Sequence, residues 1–189
     1  MAEAQKIIKP FEGFQDNFVR SNLDLVIGGG SMGGGKTAAA VLCIAEPSLD
    51  ARFRAVYLRN NLGDLKSGGG ILDEFKKMYG KGCKVVESGD PHVDFPSGAR
   101  LDVTHIADQS KEKVLQRFKG RQYDFIYFDE GTGFTWECFT AVYSRNRGMA
   151  KWTGKVRMTT NPNAPIGSEP SSTGGLEQMA LSYPRERES

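Results

Sequence analysis

Histidine is almost absent from this sequence. His92 and His105 are the whole supply, which excludes a histidine-rich metal site and gives no support to a catalytic histidine. Cysteine is scarce as well. Cys43, Cys83 and Cys138 are odd in number and far apart, so they form neither a disulfide framework nor a metal-ligand spacing, and a reducing compartment is expected. An excess of charge of one sign is also missing. Against 25 Lys and Arg stand 23 Asp and Glu, a formal net charge of +2. That argues against a strongly basic nucleic-acid sheath and leaves room only for a local patch. No apolar run approaches a membrane span, and the N-terminus has no signal-peptide core. The remainder is ordinary for a soluble globular protein: 189 residues, 39% hydrophobic and 25% charged, enough for one domain with a sizeable core.

Along the chain, short apolar segments alternate with helical patterns. Strands are expected at Leu23 to Ile27, Ala55 to Leu58, Phe125 to Phe128 and Val156 to Thr159. Helices are expected at Lys36 to about Ala45, Asp64 to Tyr79, Asp108 to Phe118 and Thr135 to Ser144. Three β-rich pieces, "CKVVE", "HVDF" and "RLDVTHI", are separated by turn signals and read as a meander pairing near one edge. Residues 1–22 are polar with a few aromatics. Residues 164–189 turn to Pro, Gly, Ser and Glu without periodicity and are expected to be loop or disorder. The alternation predicts an α/β fold with a mainly parallel sheet, helices on both faces and an inserted β-meander.

Glycine is the exception to this ordinary composition: six fall within the eight residues 28–35. Gly30 to Thr37 matches G-x-x-x-x-G-K-[ST] without a gap, after a predicted strand and before a predicted helix. Glycines at Gly30, Gly33, Gly34 and Gly35 let successive backbone N–H groups turn inward around a phosphate. The following helix aims its positive end at the same place. Lys36 can reach the β- and γ-phosphates, and the Thr37 hydroxyl can ligate Mg²⁺. The pattern defines a P-loop NTPase.

Such a loop needs an acid on a neighbouring strand to hold Mg²⁺. "FIYFDE" supplies Asp129 at the end of a buried strand, where ligands bind in open α/β sheets. Glu130, next in line, is placed to polarise a water against the γ-phosphate. An acid pair favours ATP hydrolysis over a GTPase-type switch, whose water is usually set by glutamine. "MTTNPN" ends the next strand with Thr159, Thr160 and Asn161. These residues either sense hydrolysis beside the γ-phosphate or simply form an Asn-Pro turn.

Taken in order, these pieces resemble the large terminase subunit of tailed bacteriophages, the ATP-driven DNA-packaging motor. The match runs from residue 9 to 163. It includes "KPFEGFQDNFVRS", "IGGGSMGGGKT", "AVYLRNNLGDLKSGGGILDEFKKMYG", "FPSGARLDVTHI", "KGRQYDFIYFDEGTGFTWECFTAVYSRNRG" and "TTNPN". The resemblance implies that Gln15 reads adenine and that Thr160 and Asn161 are the coupling sensors. It implies ATP and Mg²⁺ as ligands, and double-stranded DNA, a homo-oligomeric ring, the portal protein and the small terminase subunit as partners. The implied location is the host cytoplasm, without a membrane. The expected division is a P-loop ATPase domain at 1–163 and a tail at 164–189, with the family's nuclease domain absent and no DNA cutting. The competing readings are a helicase or recombinase core, a non-hydrolysing assembly fragment and, more weakly, a small-molecule kinase.

One departure concerns charge. Many relatives carry an arginine within the phosphate loop, where this chain has Met32. The positive charge on the transition state is then expected from Lys36 alone or from a neighbouring subunit. Arg121 and Arg117 are the first candidates for that finger, and Arg145 and Arg147 the second.

Overall fold

A computed structural model describes residues 8–29, 35–60, 69–152 and 154–160. The expected positions Gly30, Met32, Gly33, Gly34 and Asn161 lie outside the described residues, as do residues 61–68 and the 164–189 tail.

Among the described residues, twelve principal elements follow in order: α1 (Phe14–Arg20), β1 (Leu25–Gly29), α2 (Lys36–Ala45), β2 (Arg54–Arg59), α3 (Ile71–Tyr79), β3 (Lys84–Val86), β4 (His92–Asp94), β5 (Arg100–His105), α4 (Lys111–Arg117), β6 (Phe125–Phe128), α5 (Trp136–Tyr143) and β7 (Lys155–Thr160). The strands make one sheet in the order β1-β7-β6-β2-β5-β4-β3. Pairing is parallel from β1 through β5, while β4 joins β5 and β3 joins β4 antiparallel. The meander therefore sits at one edge, as the turn signals imply.

Side-chain alternation along each strand splits the core into two layers. Ala55, Tyr57, Phe125 and Tyr127 face α1, α2 and α3, packing on Phe18, Ala39, Ala40, Ile71 and Phe75. Val56, Leu58, Ile126, Phe128, Val156 and Met158 face α4 and α5, packing on Val114, Phe118, Phe139 and Val142. Strands buried on both faces read as continuous apolar runs, which is why "FIYF" carries no alternation.

The helix boundaries differ from the expected ones for local reasons. Asp108 Oδ1 accepts from both the backbone N and the Oγ of Ser110, at 3.0 and 2.7 Å. This Asx turn keeps residues 108–110 out of α4. At α5, the Thr135 hydroxyl accepts from the Cys138 N–H at 3.2 Å, so Thr135 caps the helix instead of entering it. Helix α1 was not expected at all. Its carbonyl end is held by the buried Arg157 of β7, whose Nε donates to Phe18 O at 3.3 Å and whose Nη2 donates to Ser21 O at 2.6 Å.

Candidate nucleotide site

The C-terminal ends of β7, β6 and β2 and the start of α2 converge on one cleft of about 570 Å³. Its walls include Gln15, Lys36, Thr37, Arg59, Asp129, Glu130, Thr159 and Thr160. Gly29 of β1 lies opposite Thr160 of β7, so the chain enters the phosphate loop beside the expected sensor. Lys36 Nζ donates to Thr160 O at 3.3 Å, which draws the lysine across the mouth of that strand. Gly35 takes φ 69, the left-handed region, where glycine is favoured. A Cβ there would also stand 2.1 Å from Gln15 Nε2.

Register sets the acid pair. Leu58 pairs with Phe128, so the next residues, Arg59 and Asp129, emerge side by side. Asp129 is buried and densely hydrogen-bonded. The Tyr57 hydroxyl donates to Oδ2. Thr159 Oγ1 and the Glu130 N–H donate to Oδ1, at 2.9 and 3.2 Å. Behind them, the Tyr127 hydroxyl donates to Thr159 Oγ1 at 3.3 Å, and the Tyr57 and Tyr127 rings stack with centroids 5.3 Å apart. Burial, followed by the charge of Asp129, holds the Tyr57 phenol well above its ordinary pKa, so it remains a donor at neutral pH.

Glu130 departs from ordinary backbone. Its φ of 54 makes it the sole described non-glycine residue at positive φ, a strain on the order of 1–3 kcal/mol that the surroundings must hold. Its carboxylate accepts from Arg59 Nη2 at 2.8 Å, while Arg59 Nη1 lies 3.7 Å from Asp129 Oδ2. Burial works against the Arg59 charge, but Asp129, Tyr57 and Glu130 outweigh it and raise the pKa overall. The sequence points to Lys36 and to arginines of a neighbouring subunit as sources of positive charge and does not single out Arg59. Arg59 brings a guanidinium of the same chain to the acid pair. The sequence shows only that Arg59 ends an apolar strand; its place beside Asp129 comes from the parallel pairing of β2 with β6.

The adenine reader expected at Gln15 lies in the same cleft. Its Oε1 accepts from Phe11 N at 2.9 Å and its Nε2 donates to Gly35 O at 2.8 Å, tying α1 to the phosphate loop. Arg117 and Arg121 are placed elsewhere. Arg117 Nη2 donates to Thr104 Oγ1 at 2.5 Å, and Arg121 Nη1 lies 3.6 Å from Asp102 Oδ2. Both line a larger cavity of about 780 Å³ beside β5. Neither lines the acid-pair cleft, and nor do Arg145 and Arg147.

Among the described residues, no cluster of three His, Cys, Asp or Glu side chains could hold a metal. Mg²⁺ takes one or two protein oxygens and completes its shell with phosphates and water. The Thr37 hydroxyl and the Asp129 carboxylate are oxygen donors of this kind on one cleft. No described helix is long and apolar enough to cross a membrane.

A mainly parallel sheet with the glycine-rich segment after one strand and an acid pair after another defines a P-loop NTPase-like α/β domain. The family is more specific. Residues 27–173 match the profile "Terminase large subunit, T4likevirus-type, N-terminal". The chain belongs to the terminase large subunit family. Among solved structures, it is similar to the large terminase of a thermophilic bacteriophage, at TM-score 0.63 and 17% identity, covering 91% of this chain and 43% of that one. The same phage's large terminase in complex with ATP-gamma-S aligns at TM-score 0.56 and 17% identity, covering 81% and 38%. The ATPase domain of the Thermus phage P74-26 large terminase aligns at TM-score 0.51 and 15% identity, covering 80% and 64%. The chain thus spans less than half the length of the thermophilic bacteriophage protein. A search of curated proteins returns no match.

Proposed function

We propose that this chain hydrolyses ATP to drive DNA translocation in phage genome packaging. One observation carries the reading: Lys36, Thr37, Asp129, Glu130 and Thr160, from three separate segments of the sequence, line a single cleft. Family membership and the ATP-gamma-S complex of the thermophilic phage relative support it.

In this reading Gln15 faces the base, and Lys36 neutralises charge on the β- and γ-phosphates. Bound Mg²⁺, held by Thr37 and Asp129, would stabilise charge on the phosphate oxygens. Glu130 accepts a proton from the attacking water. The Arg59 contact opposes that step, because an ion-paired carboxylate is a weaker base. The productive state therefore requires Arg59 to exchange Glu130 for another anion, and the γ-phosphate is the nearest one the reaction supplies. Arg121 or Arg117 then acts on a neighbouring subunit's nucleotide, which makes assembly a condition of fast turnover. Thr160 and Asn161 act as sensors. Double-stranded DNA, a ring of identical chains, the portal protein and the small terminase subunit are the partners this role requires, in the host cytoplasm.

Phosphate release with and without duplex DNA tests the proposal. Wild type should turn over ATP and be stimulated by DNA. Lys36→Ala should lose most nucleotide binding. Glu130→Gln should still bind ATP but turn over more slowly by a factor on the order of 10². ATP turnover by Glu130→Gln at the wild-type rate would place the base elsewhere.

A further inference from the structure

Three loops meet behind the acid pair, and one side chain joins them. Gln109 lies in the linker between β5 and α4. Its Nε2 donates to Asn60 Oδ1 at 3.0 Å and to Gly133 O at 2.6 Å, and its Oε1 accepts from Thr135 N at 2.6 Å. Asn60 directly follows Arg59 at the end of β2. Gly133 and Thr135 belong to the turn that leaves Glu130. The fit is close: a Cβ on Gly133 would stand 2.8 Å from Asn60 Nδ2. The turn itself is closed by Gly133 N donating to Glu130 O at 2.8 Å. Glu130, at φ 54, needs such external support.

We propose that Gln109 is a positioning residue for the hydrolytic step. It holds the Glu130 turn and the Arg59 end of β2 at a fixed separation, so that the base meets its water in one geometry. The inference rests on the reading of Glu130 as the base. Gln109 lines neither the nucleotide cleft nor the cavity that holds Arg117 and Arg121, so its effect must pass through the residues it holds. An amide suits the task because it donates twice and accepts once at the same point. A misplacement of about 1 Å at a reacting group costs on the order of 10²-fold in rate.

Gln109→Met keeps the side-chain length and removes all three bonds. Gln109→Glu keeps the acceptor for Thr135 N and, when ionised, loses both donations. Each is compared with wild type and Glu130→Gln for steady-state ATP turnover, KM and affinity for a fluorescent ATP analogue. Both Gln109 variants should lower kcat by about 10-fold or more, with KM and analogue affinity within about twofold of wild type. Adding Asn60→Ala to Gln109→Met should cost little more, because the two groups act as one unit. Wild-type kcat in Gln109→Met beside an inactive Glu130→Gln would overturn this inference and leave the base assignment intact. Wild-type turnover in Glu130→Gln would remove the base itself. Loss of analogue binding in both Gln109 variants would make Gln109 a residue of the fold and would equally overturn the proposal.

Discussion

The nucleotide cleft and the larger cavity beside β5 differ in how their charged groups are held. In the cleft, Asp129 is 8% exposed and takes its hydrogen bonds from the buried Tyr57 and Thr159. In the cavity, Asp102 takes Arg100 Nε at 2.8 Å and Arg121 Nη1 at 3.6 Å, and the two arginine side chains are 39% and 50% exposed. The smaller space has donors fixed before any ligand arrives, in surroundings that strengthen them. The larger has cations whose partners water screens and which can be exchanged at little cost. Size alone favours the cavity beside β5; the identity and burial of the polar groups favour the cleft as the candidate site. Under the proposed function the difference fits two roles: a fixed acid pair suits chemistry within one chain, and a loosely held arginine suits action on another.

The strongest test of that division is to break each side in a different subunit. Arg121→Ala keeps an intact cleft, and Lys36→Ala keeps an intact arginine cavity. If Arg121 acts across a subunit boundary, its removal should lower kcat by about 10³-fold in the assembled state while leaving nucleotide affinity unchanged. Mixing the two variants should then restore activity that neither has alone. Wild-type specific activity should rise with protein concentration. Concentration-independent activity in chains shown to be monomeric would end the division of labour between the two cavities.

Much of the nucleotide cleft was legible because its chemistry is local in sequence. Lys36 and Thr37 follow their glycines directly, and Asp129 and Glu130 directly follow β6. The parallel sheet was legible from the apolar runs and the edge meander from its turns. Other features are products of register and tertiary packing. Arg59 matters only because β2 lies beside β6, an order that consecutive spacing does not disclose. Gln109 matters only because three loops fold to one point. Helix α1 is seven residues of mixed polarity, below the length at which periodicity identifies a helix. It depends on Arg157, far along the chain on β7, to hold its end. The separation of Arg117 and Arg121 from Glu130 likewise comes from the fold, since in sequence they are near neighbours.

A second test compares a buried donor with the exposed pairs. Tyr57→Phe removes a single hydroxyl but leaves Asp129 Oδ2 without its phenolic partner. A lost hydrogen bond to a buried charge costs about 1.5–3 kcal/mol, and in a domain of this size each kcal/mol moves Tm by about 2–4 °C. Thermal melting should show that loss at neutral pH. Alkali should reverse the order of sensitivity. The folded-state pKa of Tyr57 is raised, by burial first and then by Asp129. The stability this group contributes is therefore complete below the unfolded phenol value of about 10 and falls as pH rises beyond it. Tyr57→Phe should accordingly show a shallower fall in Tm above about pH 10 than wild type. Parallel curves would mean that ionisation of this hydroxyl is not linked to unfolding.

The smallest effect should come from the counterpart change in the larger cavity. Asp102→Asn preserves the shape of the side chain and removes the charge that holds Arg100 and Arg121. The Tyr123 hydroxyl, which donates to Asp102 Oδ2 at 3.0 Å, still finds an acceptor in the amide. What disappears is the attraction between partly exposed charges, worth about 0–1 kcal/mol at such positions. The melting temperature should fall by no more than a few degrees, and the difference should shrink as salt rises toward about 1 M, where the Debye length is about 3 Å. Nucleotide affinity should not move, because none of these groups lines the cleft. Tyr57→Phe should keep its full deficit in the same salt, since its bond is buried. An Asp102→Asn deficit as large as that of Tyr57→Phe, and as indifferent to salt, would show that the arginines beside β5 are held as firmly as the acid pair. They would then be unable to leave for a neighbouring subunit.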